Sequence, residues 1–228
     1  RETTMTALPG CAVALLVLLT GGALADPVRL AAEDGRIVAV AADGGRRVLS
    51  AGPEDRDPVL SPDGRQVAFL RPEGKTDQDG DEGQPVALML VAAEGGPERR
   101  LVAPERGPEP KTNLLGINNP AFAADGTAVY FLARAWAVSD AVHRVALAGG
   151  RPTFVVDGNS VEAIRSGRYA GSLLVSRHKY RKGGGAFDPL CVIDAAGREK
   201  LCIPGSDGEA ADGPKARAWL ARQGGRAQ

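Results

Sequence analysis

The chain predicts an all-β fold, a β-propeller of about four four-stranded antiparallel blades. Three observations carry this. Short apolar runs alternate with turn signals along most of the length, supplied by 30 glycines and 16 prolines. One sentence then occurs twice without a gap, DPVLSPDGRQVAFL at 57–70 and NPAFAADGTAVYFL at 119–132. Finally, hairpins on this Asp-Gly turn alternate with hairpins on a glycine pair. The first interval, Asp63 to Asp125, is 62 residues and the second, Asp125 to Ser166, is 41. Propeller blades repeat at about 40–45 residues, and two polar inserts lengthen the first interval.

Within the repeat, each residue type has a local reason. Pro62 presets φ, Asp63 can accept from the backbone ahead of it, and Gly64 takes the positive φ that closes the turn. Val59-Leu60 and the alternating run Gln66–Leu70 are the two strands of the hairpin. Ser61 and Asp63 therefore set geometry rather than do chemistry.

Residues 1–25 read as a secretory leader. Cys11–Leu19 is an apolar run of nine, too short to span a bilayer as a helix. Ala23-Leu24-Ala25 then gives a small-x-small cleavage signal before Asp26. Leu8-Pro9-Gly10-Cys11 is not a lipoprotein box, because the apolar run follows the cysteine. With the leader removed no transmembrane segment is expected, and the location is periplasmic or secreted. The propeller is assigned to 26–204 and a tail, partly helical or disordered, to 205–228.

In chain order, Arg36–Ala41, Gly44-Gly45 and Arg47–Ser50 form the first glycine-pair hairpin. The first copy of the repeat follows, then a polar insert over 72–85. Val86–Ala92, Gly95-Gly96 and Arg99–Val102 make the second such hairpin. A proline-rich connector, 103–118, leads to the second copy. His143–Leu147, Gly149-Gly150 and Pro152–Val156 make the third. A worn third copy runs through Val161–Gly167 and returns over Leu173–Ser176. Leu190–Asp194, Ala196-Gly197 and Lys200–Ile203 close the series. Pro214–Arg222 suits a short helix, with Pro in its first turn and Trp219 and Leu220 to dock it. Val28–Ala32 with Asp34-Gly35 reads as a worn inner strand of the first blade. Whether four blades close into a ring, stay open or dimerise is left open by the sequence.

SPDGRQVAFL and AADGTAVYFL resemble the propeller repeats of the TolB-like, WD-repeat-like family, over Arg36 to about Ile203. Members of that family carry an α/β domain ahead of a six-bladed propeller. Here strands begin right after the leader and the count is about four blades. The resemblance implies a small periplasmic relative, with a protein partner in the cell envelope.

Composition narrows the function classes. Lys plus Arg and Asp plus Glu balance at 28 each, so an electrostatic nucleic-acid binder is not expected. Cys191 and Cys202 are an even pair once Cys11 is removed. If Ala196-Gly197 is a two-residue turn, opposed residues have numbers summing to 393, and Cys191 faces Cys202 across the hairpin. A disulfide is expected there. Asp77, Asp79 and Asp81 place carboxylates at alternate positions, as calcium loops do. Glu82, however, stands where the sharp-turn glycine belongs and Leu88 where the bidentate Glu belongs, so a solvated acidic loop is the preferred reading. Ser139, Asp140 and His143 lie too close in sequence to build a catalytic triad. No nucleotide, redox or zinc motif occurs, and no cofactor is expected. Trp136 and the basic, aromatic, glycine-rich segment with His178, Lys179, Tyr180, Arg181 and Lys182 are the expected contact surface. The function expected is a protein-binding or scaffolding propeller of the cell envelope. The alternative is an enzyme or small-ligand binder with its site at the channel mouth.

Overall fold

The structure, a computed structural model, describes residues 29–74, 83–207, 212–224 and 226–227. Four antiparallel sheets follow one another along it. The first holds β1 (Arg29–Glu33), β2 (Arg36–Val40) and β3 (Arg46–Val48). The second holds β4 (Arg56–Leu60), β5 (Gln66–Pro72), β6 (Val86–Ala92) and β7 (Arg99–Val102). β8 (Asn118–Phe122), β9 (Ala128–Ala133), β10 (Asp140–Ala146) and β11 (Thr153–Gly158) make the third. The fourth runs β12 (Ser160–Ser166), β13 (Leu173–Ser176), β16 (Leu190–Ile193) and β17 (Glu199–Cys202), with a small ribbon of β14 (Lys179–Tyr180) and β15 (Ala186–Phe187) inserted after β13. The leader and the candidate calcium residues Asp77, Asp79 and Asp81 lie outside the described residues. Among the described residues no helix is long and apolar enough to cross a membrane.

The sheets stack as blades, and their cores lie between them. β4 packs beside β8 and β8 beside β12, so the first strands converge on one side of the stack. The second and third blades are buried on both faces, which is why the repeat is apolar at successive positions. Val67 and Phe69 face the first blade, whereas Ala68 and Leu70 face the third. Val129 and Phe131 point back to the second blade, and Tyr130 and Leu132 point on to the fourth. Burying each large apolar side chain contributes about 1.5–3 kcal/mol. The two copies of the repeat match even in their irregularity. Asp57 and Asn119 have φ of 52° and 47°, and each marks a bulge in its strand. Asn119 also clamps the third blade to the fourth, its side chain exchanging two hydrogen bonds with the Val161 backbone at 2.9 and 3.2 Å.

The first blade corrects the sequence reading. The backbone N–H of Asp55, just ahead of β4, donates to the carbonyl of Gly35 at 2.7 Å. The turn between β1 and β2 therefore sits where β4 begins, and β1 runs antiparallel to β4. In the other blades that direction belongs to the second strand. β1 is thus not a worn inner strand. It takes the second place of a three-stranded blade, and residues 29–48 do not fill the innermost place. No packing comparable to that of β8 on β12 joins β12 to the first blade among the described residues. Among the described residues the four blades form an open stack.

At the other end, the helix α1 (Asp212–Arg222) forms where expected, starting two residues earlier. Ala216 and Leu220 are buried on the fourth blade, and the Trp219 ring stacks on Tyr169 at 6.0 Å. The chain then adds β18 (Arg226–Ala227) to β12 as a fifth strand.

Candidate functional site

Antiparallel order puts the turns between second and third strands on one face of the stack. There the described ends of the 72–85 insert, the Trp136 loop and the β14–β15 ribbon emerge from successive blades. The expected contact residues thus share a face but do not form one cluster.

The ribbon residues are mostly engaged with their own blade. His178 Nδ1 lies 2.8 Å from Asp188 Oδ1, and its ring meets Tyr180 edge-on at 5.0 Å. Lys179 Nζ donates to Glu199 Oε1 at 2.7 Å and contacts Cys202 Sγ at 3.2 Å. Arg181 lies over the Phe187 ring at 4.4 Å and 3.7 Å from Asp207. Tyr180 and Lys182 remain exposed. The segment is a hairpin rather than a plain loop, since Gly184 and Gly185 take positive φ and close the turn. Lys179 and Arg181 thus already lie against carboxylates.

Cys191 and Cys202 pair in the expected register and are joined by a disulfide. Their sulfurs and Glu199 are near enough to share a metal ion, but the S–S bond takes both thiols out of that chemistry.

Trp136 belongs to a different surface. Its ring meets Phe154 of β11 edge-on at 6.2 Å, and Phe154 in turn meets His143. His143 stacks on Phe131 at 5.4 Å. The result is an aromatic row across the third blade, buried at Phe131 and open to solvent at its end. Trp136, Val138 and Phe154 are 39%, 50% and 40% exposed. The loop presenting them is held by hydrogen bonds from Trp136 N–H to the Ser139 carbonyl and from Asn159 Nδ2 to the Val138 carbonyl. Phe154 was missed in the sequence, where it reads as one more outer-strand residue.

The outer strands show why it stands apart. β3 opens with Arg46-Arg47, β7 with Arg99-Arg100 and β17 with Glu199-Lys200. Such charges keep an exposed sheet edge from pairing with another chain. β11 opens instead with Thr153-Phe154, uncharged.

His143 is only 2% exposed, and neither ring nitrogen has a hydrogen-bond partner. It is no part of a triad. Burial pushes the imidazole from 6.5 down to about 4. The unfolded chain therefore takes up this proton first as pH falls. The stabilisation is intact above pH 6.5 and lost between 6.5 and 4, in all by about 3 kcal/mol. Urea midpoints for the wild type and His143→Leu at neutral pH and near the lower end of that window test this. The wild type should lose distinctly more than the leucine variant; an equal loss contradicts it.

On the opposite face, between the third and fourth blades, lies a cleft of about 650 Å³. Ala123, Ala124, Asp125, Tyr130, Arg144 and Ala195 line it. Burial pushes the Tyr130 phenol up, while the nearby Arg144 guanidinium opposes that shift. Hydrogen bonds from the Thr127 N–H and hydroxyl hold the Asp125 carboxyl below its usual range.

No family model matches the chain, and no curated protein matches it. Among solved structures it is similar to dipeptidyl peptidase 4 of Porphyromonas gingivalis, with a TM-score of 0.55 and 11% identity over 78% of this chain and 31% of that one. The tricorn protease gives a TM-score of 0.54 and 14% identity over 78% of this chain and 16% of that one. Oligogalacturonate lyase of Vibrio parahaemolyticus gives 0.51 and 16% over 78% and 45%. The chain spans less than half the length of each. At these identities the likeness concerns the fold alone: it is to β-propellers as a class, and it does not single out a TolB-like member.

Proposed function

We propose that the chain is a binding module of the cell envelope that docks a protein partner along the outer edge of its third blade. The observation that carries this is the exposed trio Trp136, Val138 and Phe154 beside an outer strand that opens on the uncharged pair Thr153-Phe154. Two of the trio are aromatic, the residue type that anchors interfaces, and an outer strand that opens without charged side chains can receive an added strand. A periplasmic or secreted setting is supported by the Cys191–Cys202 disulfide, a bond that persists in oxidising compartments. The leader-like run Cys11–Leu19 supports it as well.

A photo-crosslinking residue at position 154 tests the reading in native envelope, with position 48 as control. Val48 is 55% exposed on the outer strand of the first blade, beside two arginines. A discrete adduct is expected at 154 and not at 48. Equal, diffuse labelling at both positions contradicts the docking edge. An adduct of twice the chain mass would replace a foreign partner with a second copy.

A further inference from the structure

The cleft between the third and fourth blades departs from the repeat in its chemistry. In the second blade the register sets Ala68 against Leu90, both buried in the core. At the same points the third blade sets Tyr130 against Arg144. Ser61 and Pro62 likewise give way to Ala123 and Ala124. The Ser61 hydroxyl accepts from two backbone N–H groups and donates to Asp63, filling the turn; alanine does none of this. Where the second blade closes its interface with apolar side chains, the third leaves a space walled by a guanidinium and a phenol.

The charges in it are set in an unusual way. Asp125 is exposed and near enough to Arg144 for the two to feel each other's field. Yet no ion pair joins them among the described residues, and Asp125 Oδ1 is turned to Thr127 instead. A cation and an anion held apart across a cleft offer two poles to one ligand. The Arg144 guanidinium is half-buried beside the Tyr130 phenol, which meets only part of its five-donor fork.

We propose that this cleft binds a small zwitterion, an α-amino acid or a short peptide, with its carboxylate on Arg144 and Tyr130 and its ammonium on Asp125. The planar guanidinium matches a carboxylate in two parallel hydrogen bonds, and the Tyr130 hydroxyl adds a donor. The alanine walls leave room for a short side chain, and the volume is that of a small-ligand cleft. The cleft opens on the face opposite the Trp136 loop, and it meets the docking edge at Thr153, which lines it beside Phe154.

Isothermal titration of the full chain with L-alanine, L-alanyl-L-alanine and L-alanyl-L-alanyl-L-alanine tests the proposal. Saturable binding of at least one of them is expected. N-acetylation or C-terminal amidation of that ligand should weaken binding by about tenfold or more. Arg144→Leu, which installs the residue of the second blade, should lose binding with the fold kept, as judged by circular dichroism. Asp125→Asn keeps the oxygen that Thr127 uses and should also weaken binding about tenfold; it serves should the leucine variant fail to fold. No saturable heat with any of the three overturns the proposal. So does equal affinity for the blocked forms, or wild-type affinity in either folded variant.

Discussion

Replacing Arg71 by leucine is expected to destabilise the chain by about 3–5 kcal/mol, among the largest effects of any single substitution. Arg71 reaches from β5 to Asp55 with two hydrogen bonds, Nε to Oδ1 and Nη2 to Oδ2, both 2.7 Å. Its third contact, Nη1 to Glu98 Oε2, is 2.6 Å. Asp55 is 1% exposed and lies in the connection between the first and second blades. Its Oδ2 accepts from the Gly52 N–H, and Glu98 Oε1 accepts from the Ala51 N–H. One guanidinium thus fixes both the connection and the carboxylates that shape it. The two carboxylates hold it protonated across the whole working pH range. Leucine would leave Asp55 as a buried charge without its partner, and that uncompensated charge, rather than the lost pair, sets the size of the effect. Urea unfolding measures it. The double variant with Asp55→Asn should recover part of the loss, since residues in one network do not add. A cost under about 1 kcal/mol for Arg71→Leu would mean that the network is not buried in solution.

The second large effect separates two turns that look alike in sequence. Asp34-Gly35 and Asp63-Gly64 both place glycine at positive φ, 71° and 73°. Alanine at either position pays a conformational penalty of about 1–2 kcal/mol. Their surroundings differ. A Cβ on Gly64 meets nothing within 4 Å, whereas one on Gly35 falls 1.7 Å from the Pro53 carbonyl oxygen. That oxygen is backbone and belongs to the same connection that Asp55 and Arg71 hold. Gly35→Ala must push the two blades apart there, and a cost of about 4 kcal/mol or more is expected. Gly64→Ala should stay near the conformational penalty alone. Thermal melts of the two variants side by side decide it; equal losses would place the Gly35 turn away from the second blade.

The same pair shows where the sequence stops being informative. Turn chemistry identifies an Asp-Gly turn but not which end of a blade it closes, because the local φ requirement is the same at both. The position of Gly35 depends on a long-range hydrogen bond with Asp55. The second and third blades were legible because their period-2 runs, turn residues and repeated order agree with one another. The Cys191–Cys202 register followed from the same logic. β14 and β15 were not legible, since two-residue strands carry no period, and their hairpin is held by Gly184-Gly185 and by Arg181 over Phe187.

The candidate sites were only half visible. Trp136 stood out as an exposed-looking aromatic between strands. Its neighbour Phe154 did not, though a comparison of the four outer strands would have found it uncharged among charged pairs. Tyr130 and Arg144 are 14 residues apart and sit at apolar places of the repeat. Aligning the copies puts Tyr130 over Ala68, but its meeting with Arg144 needs the β9–β10 register. Both sites are places where the third blade abandons what the second blade keeps.

The docking edge is the central claim, and one variant addresses it directly. Phe154→Arg gives the start of β11 the charge that the other outer strands carry, at a half-exposed position where the fold loses only two edge-on ring contacts. With a photo-crosslinking residue at position 138, the yield of the partner adduct in native envelope is then compared between this variant and the unsubstituted chain. Loss of the adduct with the fold kept, as judged by circular dichroism, is the expected result, and an undiminished yield would contradict the docking edge.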